Sequence, residues 1–179
     1  MNLEILNGMN TIQLTQGLNT LVETIDWINL RCFNWRALRN HGSSIVYDGR
    51  NKPRADKNQP KVYLHRVIAQ QATEAGLDGL EVDHRNRDPL DNRRANLRPA
   101  TRRQNSANIR KPRGILSVYK GVTRDKRGKW IAQCGPEGSG RYLGAFQSEA
   151  DAARAYDARA VELYGEFAGV NFPSGKEAG

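Results

Sequence analysis

The sequence has few cysteines and no long apolar run, and each absence excludes a class of protein. Cys32 and Cys134 are the only cysteines in 179 residues, and they lie far apart without CxxC spacing. These two cysteines support neither a disulfide framework nor a structural zinc site, and a reducing cytoplasm is expected. No apolar run approaches the length of about 20 residues that a bilayer-spanning helix needs. The first residues, MNLEILNGMN, also lack the basic and apolar segments of a signal peptide, so neither export nor a membrane span is predicted.

The chain is instead strongly basic. Its net charge is +9 and its pI about 9.9, with 38% hydrophobic residues and a mean hydropathy of −0.72. Residues 83–113 contain ten Lys or Arg against three acids, whereas the stretch from Gln147 onward is rich in acids. Such segregation indicates a polyanion-facing strip, with nucleic acid the first candidate and an anionic membrane surface the second. Charge alone also suits a ribosomal-type or merely soluble basic protein.

Residue patterns up to about position 79 predict a small α+β region. Alternation in TIQLT and TLVETI predicts two short strands, and SSIVYDG predicts another. The mixed apolar pattern of DWINLRCFNWRAL, residues 26–38, predicts one short helix whose tryptophans lie in the core. The stretch KVYLHRVIAQQATEAG predicts a strand running into a helix, after an exposed basic loop, RNKPRADKNQPK.

The next segment, VDHRNRDPLDNRRANLRPATRRQNSAN at 82–108, predicts the order strand, loop, strand, helix. LEVDH is the first strand, the Asp-Pro and Asp-Asn turn signals mark the loop, and NLR is the return strand. Thr101 and Gln104 form a capping box that starts the helix. Further on, SVYKGVTRDKRGKWIAQCG and GRYLGAF predict three strands, and Ser148 with Asp151 predicts the start of a helix. One face of that helix carries Ala153, Tyr156, Ala160, Leu163 and Tyr164.

The residues of the 82–108 segment suit hydrolysis of a phosphodiester. That reaction needs a base for water, and a histidine such as His84 can serve. A hard cation prefers oxygen ligands, which the Asp83 carboxylate and the Asn105 amide provide. Asn96 is placed to brace the loop and orient His84. Taken singly, an Asp-His pair is most often a surface ion pair or a turn, and Asn105 an ordinary polar surface residue.

Residues 62–110 resemble the HNH endonucleases, in the subgroup found in phage and intron-encoded homing endonucleases. The resemblance rests on LHR followed by EVDHRNRDPLDNRRANLRPATRRQNSAN. It implies a ββα-metal fold, His84 as general base, Asp83 and Asn105 as ligands of a divalent metal (Mg²⁺, with Mn²⁺ the alternative), and Asn96 as the structural asparagine. His65 receives no role, a core or hydrogen-bonding histidine being the simplest interpretation. The arginines expected along the phosphate backbone are Arg85, Arg93, Arg94, Arg98, Arg102 and Arg103.

Residues 117–173 resemble the plant ethylene-response-factor (Apetala-type) DNA-binding domain, from YKGVTRDKRGKWIAQC through YDARA to the closing NFP. The resemblance implies a three-stranded antiparallel sheet with one helix, the sheet lying in the major groove and the acidic helix facing away. It places DNA contacts at Lys120, Arg124, Arg127, Trp130, Gln133, Arg141 and Tyr142. Thr123 stands at a usual base-reading arginine, and Arg127 and Tyr142 stand at usual tryptophans, so the plant target does not carry over. Sheet packing is the alternative for Trp130 and Tyr142.

Together these features predict an α+β protein: residues 1–110 hold a sheet region and the HNH core (62–110), 111–116 a linker, 117–173 the DNA-reading domain and 174–179 a tail. The expected function is metal-dependent, sequence-directed cleavage of double-stranded DNA, of the homing type. One site per chain predicts a nick by a monomer or weak dimer, in the cytoplasm of a bacterial or phage-infected cell. The alternatives are a non-catalytic DNA-binding regulator and a non-specific or RNA-directed nuclease.

Overall fold

A computed structural model describes residues 8–39, 46–50, 61–109, 116–136 and 140–173. Contacts divide the chain into two compact units, residues 1–99 and 100–179. Most of the predicted linker and the whole predicted tail lie outside the described residues, as does most of the basic loop predicted at 50–61. The division falls inside the 82–108 segment, so the helix that ends this segment groups with the C-terminal unit.

The first unit begins with an antiparallel hairpin. Strands β1 (Met9–Gln13) and β2 (Asn19–Glu23) pair from Met9 opposite Glu23 to Gln13 opposite Asn19, and helix α1 (Thr24–Leu30) follows. Both predicted strands are confirmed. Ile12 and Val22 are buried in the core of this unit, as alternation of apolar and polar residues requires.

The single helix predicted over 26–38 is wrong in its second half. Helix α1 ends at Leu30, and strand β3 (Arg36–Arg39) follows. Trp35 and Ala37 are buried while Arg36 is exposed, which is the two-residue period of a strand. The Trp35 indole donates a 2.9 Å hydrogen bond to the carbonyl of Leu30, the last residue of the helix, and so satisfies a carbonyl at the helix C-terminus. Trp35 lies in the core and Trp27 packs against it, as predicted.

The remaining elements of the first unit lead to the 82–108 segment. Strand β3 joins β4 (Val46–Arg50) and β5 (Val62–Tyr63) in an antiparallel sheet, and α2 (Leu64–Ala72) follows β5 directly. Strand β6 (Glu81–His84) pairs with β7 (Leu97–Ala100), and a 3-10 turn (Arg94–Asn96) precedes β7.

The second unit starts with helix α3 (Arg102–Asn108), whose capping box forms between Thr101 and Gln104 as predicted. The observed order is therefore strand, loop, strand, helix, and the ββα-metal arrangement itself stays a prediction. The antiparallel sheet has the order β10 (Arg141–Phe146), β9 (Trp130–Cys134), β8 (Val122–Arg124). Helix α4 (Glu149–Tyr164) packs on this sheet, which confirms the predicted three strands and one helix.

Small residues let helix α4 approach the sheet of the second unit closely. Its buried residues are Ala152, Ala153, Tyr156 and Ala160, the last three of which were predicted, and the predicted Leu163 and Tyr164 are half-buried beside them. Gly121, just before β8, has a φ of 74°. A Cβ on Gly121 would lie 1.9 Å from Cδ2 of Tyr156 and 2.7 Å from the Gln133 carbonyl oxygen, so a side chain larger than hydrogen does not fit.

Candidate functional site

Strand β6 ends in Asp83 and His84, and a tight turn follows. The Arg87 amide donates a 2.9 Å hydrogen bond to the His84 carbonyl, and Arg87 adopts a φ of 62°. This tight turn starts the loop immediately after His84. Asp83 and His84 are both buried, with 4% and 7% of their surface exposed.

The Asn96 side chain forms hydrogen bonds across the loop between β6 and β7. Its Oδ1 accepts from the Asn86 amide at 3.0 Å, and its Nδ2 donates to Asn86 Oδ1 at 3.0 Å and to the Asp91 carbonyl at 2.7 Å. The Asn96 carbonyl accepts from the Arg85 amide at 2.9 Å. These bonds tie both ends of the loop together, so the position of His84 depends on Asn96 through the backbone.

Asn92, which the sequence patterns did not indicate, contacts the His84 ring. Asn92 Oδ1 lies 3.1 Å from His84 Nε2. Asn92 is fully buried, and its own partners include Thr20, 72 residues earlier in the chain. Its position in the loop, where Asp-Asn reads as a turn signal, gave no indication of this role.

Burial lowers the pKa of His84 below its ordinary value of 6.5. The hydrogen bond to Asn92 and the carboxylates of Asp83, Asp88 and Asp91 act in the opposite direction but do not offset desolvation. His84 is therefore a neutral imidazole at pH 7, the form that can accept a proton.

His65, which the sequence left without a role, packs against the candidate base. Its ring centroid lies 5.3 Å from that of His84 in an edge-on arrangement and 5.6 Å from that of Tyr63 in a stacked one. Burial, with smaller contributions from His84 and Arg66, lowers the pKa of His65 to about 3. His65 therefore packs against His84 as an uncharged aromatic ring.

Arg98 requires a correction. Arg98 was predicted among the exposed, phosphate-facing arginines, but only 5% of its surface is exposed. Its Nε and a terminal nitrogen donate to Asp83 Oδ2 at 2.8 and 2.7 Å. Arg98 therefore compensates the charge of a buried carboxylate instead of presenting a cation to DNA.

Two more of these arginines are held in ion pairs. Arg94 donates to both carboxylate oxygens of Asp26 on α1, at 2.9 and 2.7 Å, and Asp26 is fully buried. Arg93 forms a bidentate ion pair of the same kind with Asp91, at 2.7 and 2.6 Å, and this pair lowers the pKa of the Asp91 carboxyl. Their guanidinium groups brace the loop. The remaining members of the predicted set are exposed: Arg85, Arg102 and Arg103.

Asn105 lies in the first turns of α3, within the second unit. Its amide donates to the Thr101 carbonyl at 2.9 Å, and its side chain is half-buried. The other end of α3 is held by Lys120, whose Nζ donates to the Ala107 and Ile109 carbonyls at 2.6 and 2.8 Å. The Gly169 amide also donates to the Ala107 carbonyl, at 3.1 Å. The helix that carries Asn105 is therefore anchored by the C-terminal residues.

The predicted DNA contacts of the second unit divide between two sides of its sheet. Gln133 and Tyr142 are cross-strand neighbours and are both exposed, Tyr142 at 59%. Trp130 packs partly against the core beneath the sheet, and the Arg124 guanidinium lies 5.3 Å from its ring centre. Arg127 and Arg141 are exposed. Among the predicted DNA contacts of the second unit, only the exposed side chains can be reached by DNA.

Within the part of the chain that the structure describes, no three His, Cys, Asp or Glu side chains cluster so as to hold a metal ion. None of the described helices is both long and apolar enough to cross a membrane.

Comparison with known proteins supports both sequence resemblances. Residues 62–107 match the HNH endonuclease family. An uncharacterized HNH endonuclease of Acanthamoeba polyphaga mimivirus is 34% identical over 112 residues, which cover 62% of this chain and 58% of the relative. Dehydration-responsive element-binding protein 2C of Arabidopsis thaliana is 41% identical over 64 residues, 35% of this chain and 19% of the relative.

A rice AP2/ERF and B3 domain-containing protein (Oryza sativa subsp. japonica) is 44% identical over 57 residues, 32% of this chain and 16% of the relative. The chain spans less than two thirds of the length of each of these relatives. No solved structure matches it. The resemblances to HNH endonucleases and to AP2-type domains are confirmed.

Proposed function

We propose that this protein is a metal-dependent endonuclease that hydrolyses phosphodiester bonds in double-stranded DNA, directed to its site by the C-terminal sheet. The observation that carries the proposal is His84, a buried neutral imidazole whose ring is held by Asn92 inside the stretch that matches HNH endonucleases. A neutral histidine held in one orientation is suited to take a proton from an attacking water.

The proposed metal ligands are the Asp83 carboxylate and the Asn105 side-chain oxygen. Their chemistry fits Mg²⁺, or Mn²⁺ in its place, because such hard cations take oxygen ligands and keep several waters. Arg98 bonds to Asp83 through Oδ2, which keeps a carboxylate in a buried position. When bound, the metal would supply positive charge at the phosphate and stabilise the leaving oxygen.

The other residues of the site position the DNA and the base. Exposed Arg85, Arg102 and Arg103 would contact phosphates, as would Arg127 and Arg141 of the second unit. Gln133 and Tyr142, exposed on the sheet, are the proposed base-reading side chains. Two linked DNA-binding modules increase affinity through effective concentration. We assign the enzyme to the homing type, acting as a monomer or weak dimer in the cytoplasm of a bacterial or phage-infected cell.

A supercoiled-plasmid assay tests this function. We expect the purified protein to nick plasmid DNA with Mg²⁺ or Mn²⁺ and to be inactive with EDTA. His84→Ala should lower the rate by about 10²- to 10⁴-fold, the usual contribution of a general base, while DNA binding persists. The matched control is Asp78→Asn, an exposed carboxylate of the same unit, which should cut like wild type, in contrast to Asp83→Asn.

Two results would contradict the proposal. A wild-type protein that bound DNA but left it supercoiled with both metals would indicate a non-catalytic regulator. Full activity in His84→Ala would show that another group is the base.

A further inference from the structure

Strand β2 of the N-terminal hairpin is hydrogen-bonded to the loop that holds His84. The Leu21 amide donates to the Leu90 carbonyl, and the Asn92 amide donates to the Leu21 carbonyl, both at 2.8 Å. Thr20 and Asn92 beside these bonds are fully buried. The hairpin lies outside residues 62–107, the stretch that matches the HNH endonucleases.

The Thr20 hydroxyl lies between two hydrogen-bond partners, the Leu90 carbonyl and the Asn92 side chain. The Thr20 hydroxyl donates its single proton to the Leu90 carbonyl at 2.9 Å. Toward Asn92, at 2.7 Å, Thr20 Oγ1 can therefore only accept, so the facing atom of Asn92 must be the NH₂ group. The Pro89 carbonyl, 3.5 Å from the same atom, also requires a donor there. The two neighbours together decide which way the Asn92 amide points.

The orientation of Asn92 then determines the proton position on His84. With its NH₂ group toward Thr20, Asn92 presents Oδ1 to His84 Nε2 at 3.1 Å. An amide oxygen only accepts, so Nε2 must carry the proton. In a neutral imidazole the other ring nitrogen, Nδ1, then has the lone pair.

We infer that Thr20 and Asn92 are positioning residues that hold His84 in its Nε2–H tautomer, and that the N-terminal hairpin is thereby part of the catalytic apparatus. The tautomer assignment stands on the hydrogen bonds alone. Its consequence for catalysis rests on the proposed function, because it makes Nδ1 the atom that takes the proton from water.

The tautomer is measured directly by long-range ¹H–¹⁵N NMR of the full-length protein without DNA at pH 7.5, with His84→Gln to assign the signals. We expect the Nε2–H tautomer at His84 in the wild type and a mixture of tautomers in Thr20→Val, since the amide loses its acceptor there. An Nδ1–H tautomer in the wild type would overturn the inference, whether or not the protein cuts DNA.

The catalytic consequence is measured as the single-turnover nicking rate at saturating protein. Thr20→Val should lower it about tenfold, or about 1.4 kcal/mol in activation free energy, with the DNA dissociation constant unchanged. Thr20→Ser keeps the hydroxyl and should restore both the rate and the single tautomer.

Thr24→Val is the matched control. The Thr24 hydroxyl, at the start of α1, likewise donates to a backbone carbonyl, that of Gly8, and accepts from an asparagine NH₂ group, that of Asn10. It does not take part in the Thr20–Asn92–His84 chain, so its loss should leave the rate and the tautomer as in the wild type. Equal effects of Thr24→Val and Thr20→Val would show that the hairpin has a general structural role only.

Discussion

Asp83 and Arg98 form an ion pair in which both side chains are almost completely buried. The charge of the carboxylate is therefore compensated within its own unit. Buried pairs of this kind are sensitive to the loss of one partner, because the remaining charge has no water around it.

Arg98→Met should destabilise the protein by about 3–5 kcal/mol, the cost of leaving a buried charge without its partner. The free energy of unfolding from urea titration measures this. The double variant Asp83→Asn/Arg98→Met should lose less than the single one. Arg154→Met removes an exposed pair with Asp151 and should cost less than about 1 kcal/mol. Equal losses in Arg98→Met and Arg154→Met would contradict the burial of the pair.

Lys120→Met should change stability more than DNA binding. The Lys120 ammonium bonds two carbonyls at the end of α3, and charge-assisted hydrogen bonds contribute about 1.5–3 kcal/mol. The dependence of DNA affinity on salt concentration should stay as in the wild type. Arg127→Gln removes an exposed cation and should reduce the logarithmic salt slope by about 1 without loss of stability. A reduced salt slope of DNA affinity in Lys120→Met would show instead that Lys120 contacts a DNA phosphate.

His65 should make the protein less stable in mild acid. Its pKa is about 3 in the folded protein against an ordinary value of 6.5, so below pH 6.5 the unfolded chain binds a proton that the folded one does not. Stability is then lost as the pH falls, by about 2 kcal/mol between pH 7 and pH 5 from this residue. His65→Phe keeps a ring between Tyr63 and His84 and should remove that share of the pH dependence in urea titrations. An unchanged difference between the two pH values would show that His65 is protonated when folded.

Gly121→Ala should unfold or strongly destabilise the second unit, by more than about 4 kcal/mol, because the added methyl overlaps the Tyr156 ring in a left-handed backbone conformation. Gly128 also has a positive φ, of 82°, but the nearest atom to an added Cβ is 3.6 Å away. Gly128→Ala should thus cost only the backbone strain, about 1–2 kcal/mol. Denaturation followed by circular dichroism compares the two, and similar losses would refute the close approach of helix and sheet.

Local signals explain what the sequence could predict. Turn residues after His84, the capping box at Thr101 and the alternation in β8 to β10 each act over a few residues, and the structure has these elements where they were expected. The helix predicted through Trp35 failed because a tertiary contact overrode a mixed local pattern.

Long-range pairing explains what the sequence could not predict. Arg94 and Arg98 look like any arginine in a basic segment, and only the fold brings Asp26 and Asp83 to them. Asn92 was missed for the same reason, since its partner Thr20 is 72 residues away. Charge counting treats all arginines as surface cations, whereas a buried carboxylate converts a nearby arginine into a structural residue.

Helix α3 belongs to the HNH stretch by its sequence and to the C-terminal unit by its contacts. A chimera in which another sequence replaced residues 117–173 would lack Lys120 and Gly169, whose hydrogen bonds hold the helix that carries Asn105. A replacement of residues 117–173 therefore has to include α3 as well, or to supply equivalent hydrogen bonds at the end of α3. The part of this chain that would have to be exchanged as one unit begins at Ala100.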